Sequence, residues 1–326
     1  MIKIIVAGSA LGIIVILVFF SIQWPPFWKE SGLTRVTSNK LDQYNPAIYG
    51  NLISYINTDT DGAEICLYNI MSGERMEVTD DYYNQYVNDI WDGYIVYGDA
   101  RGGNSNILLY DLIEGREVLI DWGGEHRMFP ALGDGFIAWQ EYDGDSYQIM
   151  IYNISRGVKS QVTRGKYNNR YPKVSGGWIV WQSDWEEGST VFLHDIRENS
   201  TFQLGGPGEI QFSPSVHQGR VVFLQLANNE CHLFLYDIAD GSTTRITEDG
   251  ADKRNPSIHR DLITWEDTRN GNLDVYLYDL ETGLEIQITD HPADQYLSDV
   301  YGRWVVYTDE RSGDMDIYLF EYNEGS

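Results

Sequence analysis

Short apolar runs alternate with polar turns along nearly the whole chain. In the stretch that begins at Gln43, Pro46-Ala47-Ile48 is followed by a turn at Tyr49-Gly50-Asn51, and Leu52-Ile53-Ser54-Tyr55 by a polar turn from Asn57 to Gly62. Ile65–Ile70 is then a third run, Ser72-Gly73 a turn, and Arg75–Thr79 a fourth. Runs of this length, rich in aromatic and β-branched residues and bounded by turn signals, predict four short antiparallel strands. The unit then repeats every 42 residues. Tyr55, Tyr97, Trp139, Trp181, Phe223, Trp265 and Tyr307 stand at one repeat position, and Ile48, Ile90, Leu132, Val174, Val216, Ile258 and Val300 at another. Five of the nine prolines share a third position. Gly73, Gly115, Gly157, Asn199, Gly241, Gly283 and Gly325 occupy the last turn, where Gly and Asn tolerate a positive φ.

A fixed period of this size marks a repeat architecture, and four-stranded sheets repeated radially make a β-propeller. The register also predicts how the ring closes. The fourth strands end in pairs such as Val78-Thr79, Val162-Thr163 and Ile288-Thr289, and one period before Val78 lies Val36-Thr37. The last unit halts after its third strand. Leu33–Thr37 therefore supplies the missing strand, giving an all-β, seven-bladed propeller over 33–326 that leaves no open sheet end.

The N-terminus departs from this pattern. Ile4–Trp28 carries no charge and Ile4–Ile22 is almost wholly apolar, long enough to span a bilayer core as one helix. No A-x-A-like cleavage site follows it. Residues 1–24 are therefore expected to be a membrane anchor, with a signal peptide as the alternative, and 25–32 a linker. Trp24, Phe27 and Trp28 suit the membrane interface, and Lys3 keeps the short end in the cytoplasm. The propeller is then expected outside the cytoplasm, at the cell surface or in the periplasm, touching the membrane through its N-terminal helix only.

The net charge of −26 argues against nucleic acid or anionic lipid as a partner. Cys66 and Cys231 fall at unlike repeat positions, so no disulfide is expected between them.

The hairpins between second and third strands carry a recurrent motif: Asp99-Ala-Arg101, Asp267-Thr-Arg269-Asn-Gly271 and Asp309-Glu-Arg311-Ser-Gly313. With the Pro-x-aliphatic start and the Ile-Thr fourth strand, this resembles the TolB-like propeller repeats, of the WD40-like kind, over residues 33–326. The resemblance implies the fold. It implies no single function, because the family includes periplasmic, surface and peptidase-associated propellers. TolB itself has a separate N-terminal domain and six blades, so its Pal-binding role is not carried over.

Three sets of residues are candidates for binding. Asp267, Arg269, Asp309 and Arg311 form either a charged rim that grips a partner or ion pairs that fasten each hairpin. Trp122, Trp185 and Tyr142 lie in polar turns on the face of the inter-blade loops, where aromatic planes beside carboxylates stack sugar rings or hold a peptide. Asn57, Asp59, Asp61 and Glu64, with Gly62, resemble the start of a calcium loop, which makes calcium the one cofactor the chain suggests. Catalytic signatures are lacking: no G-x-S-x-G elbow or H-E-x-x-H pair appears, and His217 and His259 are expected on a surface turn.

The expectation is thus a membrane-anchored binding or interaction module for a protein or glycan at the cell envelope. A carbohydrate-active hydrolase or lyase is the second reading, and a structural envelope component the third. The second would require two carboxylates, or histidines holding a metal, to converge at the mouth of the central channel.

Overall fold

The computed structural model describes residues 32–58, 62–103, 105–123, 126–228 and 230–323. Within them the chain forms seven four-stranded antiparallel sheets; six are meanders whose strands follow chain order from the centre outward, and the seventh takes its outer strand from the start of the described chain. The blades, numbered in chain order, begin with the inner strands Gln43–Tyr49, Gln85–Trp91, Arg127–Gly133, Asn168–Ser175, Ile210–His217, Lys253–His259 and Gln295–Tyr301. The segment expected to anchor the protein lies outside the described residues. Among the described residues no helix is long and apolar enough to cross a membrane.

Blade 7 closes as the register predicts. Leu33–Arg35 pairs antiparallel with Asp316–Glu321, Leu33 opposite Phe320 and Arg35 opposite Tyr318. Arg35 reaches Asp316 at 2.6 Å, and the Ile317 amide donates to the Thr37 hydroxyl at 2.8 Å. That last bond explains the recurrent Thr. Thr79, Thr163, Thr247 and Thr289 accept from Ile65, Ile149, Leu233 and Val275 in the same way, at 2.8–3.0 Å. Each hydroxyl satisfies a third-strand amide at the point where the outer strand leaves the ladder.

The core lies between blades rather than within any one. The repeated aromatic is 4% exposed or less in every blade. In four blades its ring stacks on an aromatic of the third strand: Trp181 on Phe192, Phe223 on Phe234, Trp265 on Tyr276 and Tyr307 on Tyr318, with centroids 5.6–6.0 Å apart. Ile90, Ile95 and Tyr97 of blade 2 pack on Ile56, Ile65 and Leu67 of blade 1, and similar clusters fill the other gaps. Cys66 and Cys231 are buried thiols.

The sequence pattern does not show one further feature. Every inner strand carries a bulge, and at it a non-glycine residue takes a positive φ of 42–55°: Asn45, Val87, Phe129, Tyr171, Ser213, Asn255 and Leu297. Such a conformation costs an L-residue roughly 1 kcal/mol. Neighbouring blades hold several of these bulges in place: Gln140 accepts from the Tyr171 amide, Gln182 from the Ser213 amide, and Glu266 from the Ser298 amide.

Candidate functional site

The described residues singled out from sequence are spread over six blades: Asn57 and Glu64 in blade 1, Trp122 after the last strand of blade 2, Tyr142 in blade 3, Trp185 in blade 4, Asp267 and Arg269 in blade 6, and Asp309 and Arg311 in blade 7. Asp267 and Asp309 are fully buried. Arg269 binds Asp267 at 2.6 Å, Asp249 at 2.9 Å and Glu285 at 2.5 Å, with its guanidinium 4.2 Å from the centroid of the Tyr276 ring. Arg311 binds Asp309 at 2.6 Å and lies over Tyr318. Arg269 fastens its hairpin to the outer strand through Glu285, Arg311 fastens its own to the third strand, and about a quarter of each arginine stays exposed.

Trp122 is half exposed, with its ring against Gly102 of the neighbouring hairpin. Trp185 stands at the end of its strand in blade 4, paired with Gly188. The Tyr142 hydroxyl donates to the Gly144 carbonyl, and its ring packs on Tyr147. Of the calcium-loop residues, Asp59 and Asp61 lie outside the described residues. Asn57 accepts from Gln43 and Asn39, and the buried Glu64 accepts from the Asp81 amide, so both brace the loops around them. Among the described residues no three His, Cys, Asp or Glu side chains converge to hold a metal.

The structure instead gathers chemistry in the central channel. The inner strands enclose a cavity of about 1000 Å³. Because they run towards the turns between first and second strands, three tiers of equivalent residues face it in order. The tier at the turn-face mouth is Tyr49, Trp91, Gly133, Ser175, His217, His259 and Tyr301. The middle tier is Ala47, Asp89, Lys173, Ser215, Ser257 and Asp299, with the blade 3 equivalent, Ala131, buried in the core. The bulged residues form the third.

The mouth is an arc of rings over five successive blades. Centroid distances are 4.3 Å from His217 to His259, 4.2 Å to Tyr301, 4.9 Å to Tyr49 and 6.1 Å to Trp91. Blades 3 and 4 carry Gly133 and Ser175 here, so the arc has one gap. Gly133 admits no side chain, because a Cβ would collide with the Val174 carbonyl oxygen. Within the gap, at the third tier, Phe129 and Tyr171 meet edge to face at 4.8 Å.

The histidines correct the expectation of surface residues. His259 is 6% exposed, and its Nδ1 accepts from the Gly302 amide at 2.9 Å, which puts the ring proton on Nε2. Burial, then the adjacent His217 ring and Arg260, push its pKa down to about 3. Burial also lowers that of His217, with Asp134 opposing. At neutral pH both rings are therefore uncharged and serve the arc as aromatic surface.

In the middle tier Asp89 accepts from the Ile90 and Leu132 amides at 2.9 Å, which binds blade 2 to blade 3. Asp299 accepts from Ile48, Val300 and the Ser257 hydroxyl, which binds blade 7 to blades 1 and 6. Desolvation raises Asp89 to about 6 against the pull of Lys173 and the two amides, with Asp299 adding to the rise.

The sequence did carry a signal for this tier. Five inner strands read Pro followed by Ala, Lys or Ser, whereas blades 2 and 7 read Asn88-Asp89 and Ser298-Asp299. Those two breaks in the repeat mark the channel carboxylates.

No protein-family model matches the chain, and no curated protein does. Solved structures do. An oligogalacturonate lyase in complex with manganese superposes with a TM-score of 0.71 at 10% identity, over 91% of this chain and 95% of that one. An oligogalacturonate lyase from Vibrio parahaemolyticus gives 0.70 at 10% identity, over 90% and 94%. TolB from Acinetobacter baumannii gives 0.55 at 13% identity, over 74% and 64%. At these identities the likeness is one of fold, and the fold that this chain shares with them is the β-propeller, here with seven blades.

Proposed function

We propose that this protein is a binding module that takes a glycan into its central channel through the turn-face mouth. The five-ring arc carries this reading. Rings tilted to one another around an open cavity present the apolar faces on which sugar rings stack. Ser175, Ser213, Ser215, Ser257, Asn45 and Asn255, spaced between them, offer neutral hydrogen-bond partners for hydroxyls. The similarity in fold to lyases named for an oligogalacturonate substrate favours a saccharide over a protein partner. Two further proposals accompany it: the apolar N-terminal stretch anchors the protein, and the propeller works outside the cytoplasm.

A second reading, a carbohydrate-active lyase or hydrolase, is favoured by Asp89. A channel carboxyl that keeps its proton to about pH 6 is a candidate acid. The commitment of Asp89 and Asp299 to backbone amides favours the binding reading over this one.

The test is retention of the full-length protein, in detergent, on a glycan panel, followed by calorimetry with the retained glycan. Trp91→Ala and Tyr301→Ala should each weaken binding at least about tenfold, as the loss of a stacked ring does. Unchanged affinity in both variants, or a panel that retains nothing, would overturn the proposal. Turnover of the retained glycan, lost in Asp89→Asn, would establish the second reading. Membrane fractionation of cells tests the anchor, and a mature protein that lacks residues 1–24 would refute it.

A further inference from the structure

The charge of the channel is inverted relative to the rest of the molecule. The whole chain has 23 Lys and Arg against 49 Asp and Glu, yet the channel is lined by Lys173, Lys253, Arg254 and Arg260 against only Asp89, Asp134 and Asp299. The acids are also largely spoken for. Asp89 and Asp299 are held by the amides and hydroxyl described above, and Asp134 accepts from the Gly176 amide. Of the bases, Lys253 is buried between Asp249 and Asp267. Among the described residues Lys173, Arg254 and Arg260 make no ion pair, although Lys173 stands near enough to Asp89 to lower its pKa and the protein around them has more than twice as many acids as bases.

Lys173 stands in the middle tier of blade 4, directly beneath Ser175, on the side where the arc of rings is open. Its neighbours at the same blades are the Phe129–Tyr171 pair and the bare backbone of Gly133. A ligand passing through the gap therefore meets an aromatic floor and one exposed ammonium group. The arc of uncharged rings lies across the lumen from it.

Resting on the glycan reading above, we infer that the channel selects an acidic saccharide, whose anionic substituent is held by Lys173 while its ring lies against the aromatic arc. A carboxylate or a sulfate would satisfy the ammonium group equally. A neutral sugar would leave Lys173 in water and lose only that contact.

The test compares three oligosaccharides of equal length by calorimetry on the full-length protein in detergent: one containing uronate, its carboxyl-reduced neutral counterpart, and a sulfated one. At least one anionic ligand should bind about tenfold more tightly than the neutral one, as a charge-assisted contact allows, and its identity names the anion. Lys173→Met should remove this preference with little effect on the neutral ligand, and Lys173→Arg should keep it. Ser175→Trp, which fills the gap, should exclude all three. Equal affinity for neutral and anionic ligands, or a preference that survives in Lys173→Met, would overturn the inference yet leave the glycan reading standing. Binding of none of the three, or of an acidic peptide alone, would overturn both.

Discussion

Glu266→Gln should stabilise this protein, by an amount set by pH. Glu266 is fully buried between blades 6 and 7, where its two oxygens accept from the Ser298 amide at 3.2 Å and the Asn255 side-chain amide at 2.7 Å. Desolvation outweighs both bonds and raises its pKa from 4.5 to about 7. Above pH 4.5 the unfolded chain gives up this proton and the folded chain keeps it, so stability falls as pH rises, until the folded group also ionises near pH 7. The rise of about 2.5 pH units corresponds to about 3 kcal/mol. Gln140 and Gln182 occupy the same repeat position and likewise accept a backbone amide at the bulge of the next blade, there from the bulged residues Tyr171 and Ser213 themselves. The substitution removes the charge and keeps an acceptor for Ser298, and the Asn255 amide, turned over, presents its oxygen to the new amide nitrogen. Urea unfolding of wild type and Glu266→Gln should give equal stability at pH 4 and a gap of up to about 3 kcal/mol in favour of the variant at pH 8. For a domain of this size the gap is worth about 6–10 °C in Tm. A variant less stable than wild type at pH 8, or a gap that does not change with pH, would show that Glu266 is already ionised and well solvated, and the reasoning would fail.

Other perturbations test other parts of the structure. His259 has a depressed pKa, so its contribution to stability is present above pH 6.5 and is lost as pH falls towards 3. Urea midpoints in His259→Gln, which can still accept from Gly302, should fall less steeply over that window than in wild type, and parallel curves would count against a buried neutral ring. Gly133→Ala should destabilise by about 1–3 kcal/mol, because the added methyl meets the backbone oxygen of Val174 on the next blade. A variant with an unchanged melting curve would mean that the two blades can separate at no cost. Thr247→Val should cost about 1–3 kcal/mol by orphaning the buried Leu233 amide, and an unaltered urea midpoint would show that this amide finds another partner.

The repeat was legible because every blade solves the same problem. An aromatic, an aliphatic and a turn glycine recur at fixed spacing, and the closing strand at Val36-Thr37 followed from counting back one period. Asn199 likewise takes the positive φ that its position in the turn demands. The channel was harder to read. A bulge leaves no composition signature, since Val87, Phe129 and Leu297 adopt a backbone conformation their side chains disfavour, and bonds from the neighbouring blade help to impose it. The mouth tier was overlooked for a different reason. Tyr49, Trp91, His217, His259 and Tyr301 share a repeat position but not a residue type, and two histidines beside a turn look exposed until seven strands are wrapped around one axis. Asn57 and Glu64 read as the start of a calcium loop; in the folded chain their oxygens accept from neighbouring segments, and Asp59 and Asp61 lie outside the described residues.

Closing the ring with Leu33–Arg35 also determines when the protein can finish folding. The bond from the Ile65 amide to Thr79 spans 14 residues of chain, and the equivalent bond from Ile317 to Thr37 spans 280. Four doublings of loop length, at about 0.6 kcal/mol each, place an entropic penalty of about 2.5 kcal/mol on the seam that no other blade bears. The first of these strands to leave the ribosome is thus the last to find its place. Until Asp316–Glu321 is made, the growing chain is an open arc with an unpaired sheet edge available to other molecules. In the finished protein the same penalty should make the seam the first region to open. Hydrogen exchange at the Ile317 amide should be faster than at Ile65, and equal protection at the two sites would show that the ring opens as a whole.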